Sequence, residues 1–107
     1  MNIGVDILDI RELPNYSNYK ESRFFLDNFS TNEINYAKNN KNTMEVFARL
    51  FCSKESIIKA DNKYLGTNFN KIELSIISYN NYRFNKLFVS TSISKYFCVS
   101  FAIRLNT

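Results

Sequence analysis

The sequence predicts an α+β domain, with helices packed against an antiparallel or mixed sheet. An alternating segment opens the chain, helix-period segments follow, and strand-like runs fill the last third. With 107 residues, 45% of them hydrophobic, one small domain spanning residues 1–107 is expected. A core of that size is modest, and oligomerisation would supplement it.

Residues 2–10 alternate, with Ile3, Val5 and Ile7 on one face and Gly4, Asp6 and Leu8 on the other. That is the period of a strand, and Pro14 ends it in a polar turn. Ser22–Phe29 carries helical spacing. Ser30 and Glu33 have the S-x-x-E form of a capping box and open a second helix that runs to about Lys38. A polar loop over 38–43 follows. Glu45–Ala60 is the clearest helix, because Val46, Phe47, Leu50, Phe51, Ile57 and Ile58 recur at three- and four-residue steps as one apolar stripe. Lys71–Ser78, Leu87–Ser92 and Tyr96–Leu105 read as strands, with turns at Asn80–Asn81 and Ser94–Lys95.

The formal charge of +4 and sequence pI of about 9.1 favour acidic partners: nucleic acid, anionic membrane, phosphorylated cofactors or an acidic protein. Histidine is absent, which excludes zinc sites of the Cys/His type and a histidine-based triad. Cys52 and Cys98 lie far apart in apolar surroundings and read as buried, reduced core residues. The amino terminus lacks the basic-then-apolar layout of a signal peptide, and no apolar run nears the roughly 20 residues of a membrane span. A cytoplasmic location is therefore expected.

Without histidine, acid–base or metal chemistry must rest on carboxylates and lysines. Asp6 sits between Val5 and Ile7 in an apolar strand, where an ionised carboxylate needs a partner or a metal. It reads either as a strand-end Asp bonded to backbone or as a hard-metal ligand. Glu55 lies mid-helix with Lys59 four residues on, either as a solvated pair or, at the edge of the apolar stripe, as a second ligand. Two oxygen ligands that leave sites open for water and phosphate suit Mg²⁺. No Gly-rich phosphate loop, GxSxG elbow or P-loop is present. On these grounds alone the reading is a basic α+β domain that binds Mg²⁺ and phosphate.

Three blocks in order sharpen it. Ile3-Gly4-Val5-Asp6-Ile7 resembles the amino-terminal G-[IV]-D-[ILV] strand of holo-acyl-carrier-protein synthases. Phe47 to Ala60, with Arg49, Lys54-Glu55 and Lys59-Ala60, resembles their R-F-A-A-K-E-A-x-x-K-A helix. Val89 to Ser94 resembles their V-x-x-S-[IL]-[ST] strand, and Arg23-Phe24 through Ser30 to Glu33 is similar to their R-F…[FL]-T-x-x-E stretch. The resemblance covers nearly the whole chain and implies a 4′-phosphopantetheinyl transferase-like fold. It implies transfer of 4′-phosphopantetheine from coenzyme A to a serine of apo-acyl carrier protein, with release of 3′,5′-ADP. It further implies that Asp6 and Glu55 are the catalytic pair and hold Mg²⁺. A nearby carboxylate, or water on the metal, would then deprotonate the carrier serine. Lys54, Lys59 and Arg49 are the candidates for coenzyme phosphates, and Arg11, Lys20 and Arg23 for the acidic carrier. Relatives of this kind form homotrimers with the site between subunits.

The chain departs from that pattern at several points. The histidine expected after Ser94 is Lys95, and the turn there is about three residues shorter. Leu50 stands where the second helix arginine would be. Asp61-Asn62-Lys63-Tyr64-Leu65 replaces the glycine-rich F-G-T-G turn, with Gly66-Thr67 as a displaced remnant, and Tyr82-Arg83-Phe84 replaces a G-K-P turn. These departures keep a second reading open, a divergent homologue that binds coenzyme A or carrier protein without transfer. A nucleic-acid binder stacking bases on its 7 Tyr and 10 Phe is the weaker alternative, since most Phe fall on core-facing positions.

Overall fold

The computed structural model describes residues 2–15 and 22–105. Strand β1 (Ile3–Asp9) leads through a short 3-10 turn to helices α1 (Arg23–Asn28), α2 (Thr31–Lys38) and α3 (Thr43–Ala60). Strands β2 (Ser75–Ser78), β3 (Asn81–Phe84), β4 (Leu87–Ser94) and β5 (Phe97–Arg104) complete one antiparallel sheet of order β1-β5-β4-β3-β2. Among the described residues no helix is long and apolar enough to cross a membrane.

The expected α+β layout holds, with two local corrections. The strand expected over 71–78 begins only at Ser75, because Phe69–Lys71 winds into a 3-10 turn and the Leu74 amide is taken by the Glu33 carboxylate. Tyr82-Arg83-Phe84, matched above to a turn, is strand β3. The turn falls instead at Asn85-Lys86, where Asn85 takes a left-handed φ of 54° and Phe84 pairs with Leu87. A second two-residue turn joins Ser94 to Phe97 through Lys95, with φ 57°.

The capping box forms as expected. The Ser30 hydroxyl accepts from the Glu33 amide and the Glu33 carboxylate accepts from the Ser30 amide. Phe25, Phe29 and Phe47 are buried, with Phe47 4.7 Å from the Phe25 ring and 4.8 Å from that of Phe29, so α1 is held to α3 by aromatic packing. Both cysteines are buried free thiols.

Strands β1 and β5 present mostly small residues to α3 and large ones outward. On β5, Cys98, Ser100 and Ala102 are buried, whereas Phe97, Val99, Phe101 and Ile103 are exposed. On β1, Ile3, Val5 and Ile7 are exposed while Gly4 is buried. Phe97 and Phe101 are thus exceptions to the expectation that phenylalanines face the core.

Small inner residues let α3 approach closely. A methyl group at Gly4 would run into the Ser56 carbonyl and the Ala60 amide, so backbone lies against backbone there. Gly4→Ala is expected to lower stability by about 1–3 kcal/mol, a fall of roughly 4–8 °C in Tm per kcal/mol, read by thermal denaturation. An unchanged Tm would mean that α3 does not press on β1.

Candidate active site

The close approach at Gly4 sets Asp6, two residues along β1, beside the last turns of α3. Lys59 donates from Nζ to Asp6 Oδ1 at 2.7 Å. The Asp6 side chain is mostly buried and Lys59 about half exposed, 16% and 54% respectively, so this pair stands at a rim open to solvent. The Asp6 contact raises the Lys59 ammonium above the ordinary lysine value, and the lysine stays charged. The Cys52 thiol has three acceptors around its single proton: the Asp6 carbonyl at 3.5 Å, the Cys98 carbonyl at 3.5 Å and Asp6 Oδ2 at 3.7 Å. Its contact with Cys98, then burial, push it up, and it remains a thiol.

Glu55 faces the same place, half-buried. Burial first, then repulsion from Asp6, raise its carboxyl above the ordinary value, while Lys59 pulls the other way. Glu55 on α3 therefore lies within electrostatic reach of Asp6 on β1, whose carboxylate is paired with Lys59. Among the described residues no group of three or more His, Cys, Asp or Glu gathers elsewhere or here. A pair of hard oxygen donors that repel one another fits a dication that draws its remaining ligands from water and phosphate.

Lys54 is placed differently from the expectation above. It is fully buried, and its three N–H groups go to the Asn28 carbonyl (2.8 Å), Glu33 Oε1 (2.6 Å) and the Phe69 carbonyl (2.8 Å). Burial lowers its affinity for the proton and Glu33 opposes that. With every donor used inside the protein, Lys54 braces α1, α2 and the 69–74 segment and offers nothing to a coenzyme phosphate. Arg49 is also buried, stacked on Tyr79 at 4.5 Å and bonded to Thr91 Oγ1 at 2.8 Å, with Nε unpartnered.

Of the residues expected to face a carrier protein, Arg23 is 88% exposed on α1, in a loose 3.8 Å pairing with Asp27. Arg11 is bound by Asp9 at 3.0 and 2.8 Å and lies over the Tyr96 ring. Lys20 lies outside the described residues.

The fold also assembles a group that the linear reading missed. Just past α3, a cleft of about 480 Å³ is lined by Lys63, Tyr64, Arg83, Lys86 and Arg104, with Asp61 the one acid. Asp61 accepts from Arg104 at 2.6 Å, and the Tyr64 hydroxyl accepts from Asn85 at 2.8 Å. Four cations against one carboxylate make the cleft attractive to anions. They come from three separated segments, so no sequence window displays them together.

Comparison with known proteins agrees with this geometry. The 4'-phosphopantetheinyl transferase superfamily matches the chain over residues 2–103. The chain belongs to that superfamily. A holo-[acyl-carrier-protein] synthase of Clostridium kluyveri is 36% identical over 74 residues, 67% of this chain and 54% of that protein. One from Halothermothrix orenii is 33% identical over 70 residues, 65% of this chain and 53% of that protein. The chain thus spans about half the length of the curated relatives it matches.

Solved structures of the transferase fold superpose on it. The Thermotoga maritima holo-[acyl-carrier-protein] synthase gives a TM-score of 0.72 at 22% identity, covering 94% of this chain and 61% of that one. A Chronobacterium ammoniagenes ACPS–CoA complex gives 0.72 at 20% identity, covering 94% and 93%.

The raised Glu55 carboxyl has a measurable consequence. A folded-state value above the unfolded one means that the native chain holds more protons, so stability falls as pH rises through that window. Glu55→Gln should therefore raise Tm at pH 7.5 in metal-free buffer and gain nothing below pH 4. Melting curves across that range check it, and an equal gain at both ends would contradict it.

Proposed function

We propose that this chain transfers the 4′-phosphopantetheine of coenzyme A to a serine of an apo-acyl carrier protein and releases 3′,5′-ADP. The Asp6–Lys59 pair at a solvent-open rim, with Glu55 of α3 within electrostatic reach of it, carries the reading. The superfamily assignment and the holo-synthase names of the matched relatives support it.

Asp6 and Glu55 are the residues that would hold Mg²⁺. The ion would neutralise charge developing on the pyrophosphate oxygens. Lys59, paired with Asp6 and about half exposed, would face an incoming phosphate from the solvent side. We place the nucleotide end of coenzyme A in the basic cleft, where Lys63, Arg83, Lys86 and Arg104 suit a 3′-phosphate and the Tyr64 ring offers a flat apolar contact. In the transfer, the serine oxygen forms a bond to the β-phosphorus as the bridging P–O bond to 3′,5′-ADP breaks. The serine proton passes to a nearby carboxylate or to water. Arg23, Arg11 and Lys20 are the proposed contacts for the acidic carrier, an attraction that salt weakens.

The large apolar side chains on the outer sheet face bear on assembly. Val5 is 51% exposed and Ile7 65%, beside Phe97, Val99, Phe101 and Ile103. A contiguous apolar patch of this kind marks an interaction surface, and we propose that copies of this chain cover it in a trimer. Light scattering on the eluted protein should give three times the chain mass, with Phe101→Glu shifting it to the monomer. A monomeric wild type would remove the trimer.

The transfer is tested by incubating the protein with coenzyme A, Mg²⁺ and apo-acyl carrier protein and weighing the carrier by intact mass spectrometry. A phosphopantetheine mass gain should appear, and it should vanish with Asp6→Ala, with Glu55→Ala or with a chelator. Binding of coenzyme A without transfer to any carrier would instead favour a divergent binding module.

A further inference from the structure

Three side-chain hydrogen bonds between α3 and the sheet fall on one line. Asp6 on β1, Ser100 on β5 and Thr91 on β4 are register partners, Asp6 opposite Ser100 and Ser100 opposite Thr91. The three polar side chains therefore make a row across the sheet on the face turned to α3. Each is tied to the helix by a hydrogen bond. Lys59 Nζ donates to Asp6 Oδ1 at 2.7 Å, Ser100 Oγ donates to the Cys52 carbonyl at 2.7 Å, and Arg49 donates to Thr91 Oγ1 at 2.8 Å. Thr91 Oγ1 in turn donates to the Asn80 carbonyl at 3.0 Å. On the helix, residues 49, 52 and 59 are spaced to share one face.

A side chain is not needed on Ser100 for packing alone. Its neighbours on the inner face of β5, Cys98 and Ala102, are small and apolar. Contacts of that kind are non-directional and form shallow ridges, along which a helix can slide or turn at little cost. A fully buried hydroxyl on the second lone pair of a helix carbonyl is directional and removes that freedom. The Cys52 carbonyl lies one turn before Glu55 and two before Lys59, so an error there carries straight to both. A slip of one residue displaces a helix by about 1.5 Å, while a misplacement of about 1 Å can cost on the order of a hundredfold in rate.

We propose that Ser100 and Thr91 are positioning residues: they set the slide and rotation of α3 on the sheet, so that Lys59 reaches Asp6 with Glu55 held near it. The catalytic consequence rests on the transferase reading above, whereas the geometric one does not. Neither residue touches substrate in this scheme. Both act through α3.

The test uses Ser100→Ala and Thr91→Val separately, with Ile72→Val as a control that loses core packing away from the row. Crystal structures of all three and of the wild type would report the Lys59–Asp6 contact. Assays with coenzyme A and apo-acyl carrier protein would report kcat and KM. In Ser100→Ala the Lys59–Asp6 contact should open beyond 4 Å, with kcat falling about 10- to 100-fold and KM for coenzyme A changing much less. Ile72→Val should lower Tm yet keep both the contact and kcat. Thr91→Val gives the same reading should Ser100→Ala fail to fold. An unchanged Lys59–Asp6 contact in the folded variants overturns the proposal. A wild type that transfers nothing overturns the functional reading instead, while the crystallographic distance still decides the role of Ser100 and Thr91.

Discussion

The closeness of α3 to the inner face of β1 and β5 is the constraint on which the remaining features depend. It exists because the strands offer Gly4, Cys98, Ser100 and Ala102 to the helix, so main chain can lie against main chain. Only at that separation does a lysine of α3 reach Asp6 on β1 at 2.7 Å. A larger side chain at Gly4 would lift the helix off the strand two residues from Asp6. The same choice of small inner residues displaces the large apolar side chains to the outer face, which leaves Val5, Ile7, Phe97 and Phe101 exposed. Site and sticky surface are two sides of one packing decision.

On the far side of α3, the ion pair of Lys54 and Glu33 performs the opposite task, holding the helix from behind. Glu33 receives Ser30 and Leu74 amides as well as the lysine, and Lys54 reaches carbonyls of Asn28 and Phe69. Every buried donor and acceptor in this knot is answered. Such a pair adds little net stability over an apolar substitute, but removing one partner costs about 3–5 kcal/mol by stranding the other charge. Its value is directional: a capping-box glutamate becomes the point where α2, α3 and the approach to β2 agree on their positions. Helix α3 is therefore gripped by polar contacts on two faces, with phenylalanine packing beside Lys54 on the second.

Much of this was legible from residues in order. The alternation of Ile3 to Leu8, the Ser30–Glu33 box and the stripe from Val46 to Ile58 each express a local period, and each element formed near its expected bounds. Strand β3 escaped because four residues between two asparagine-rich turns carry almost no period. The start of β2 moved because a carboxylate of α2 captures the Leu74 amide, a contact 41 residues long. Among the site candidates, Asp6, Glu55 and Lys59 share one face of a strand–helix contact. Lys54, one residue from Glu55, leaves the helix about 100° around its axis and so meets other partners.

The sequence by itself determined the periods, the caps and the residues of each family motif, all of which depend on neighbours within a turn or two. Only the tertiary structure decided which charges are used up and which remain available. Lys54 and Lys59 sit on the same helix five positions apart, yet one is sealed among three acceptors and the other stands half in water. The basic cleft likewise exists only after the end of α3, the β3–β4 turn and the end of β5 converge. Burial and charge proximity are sums over residues distant in the chain, and a linear pattern does not contain those distances.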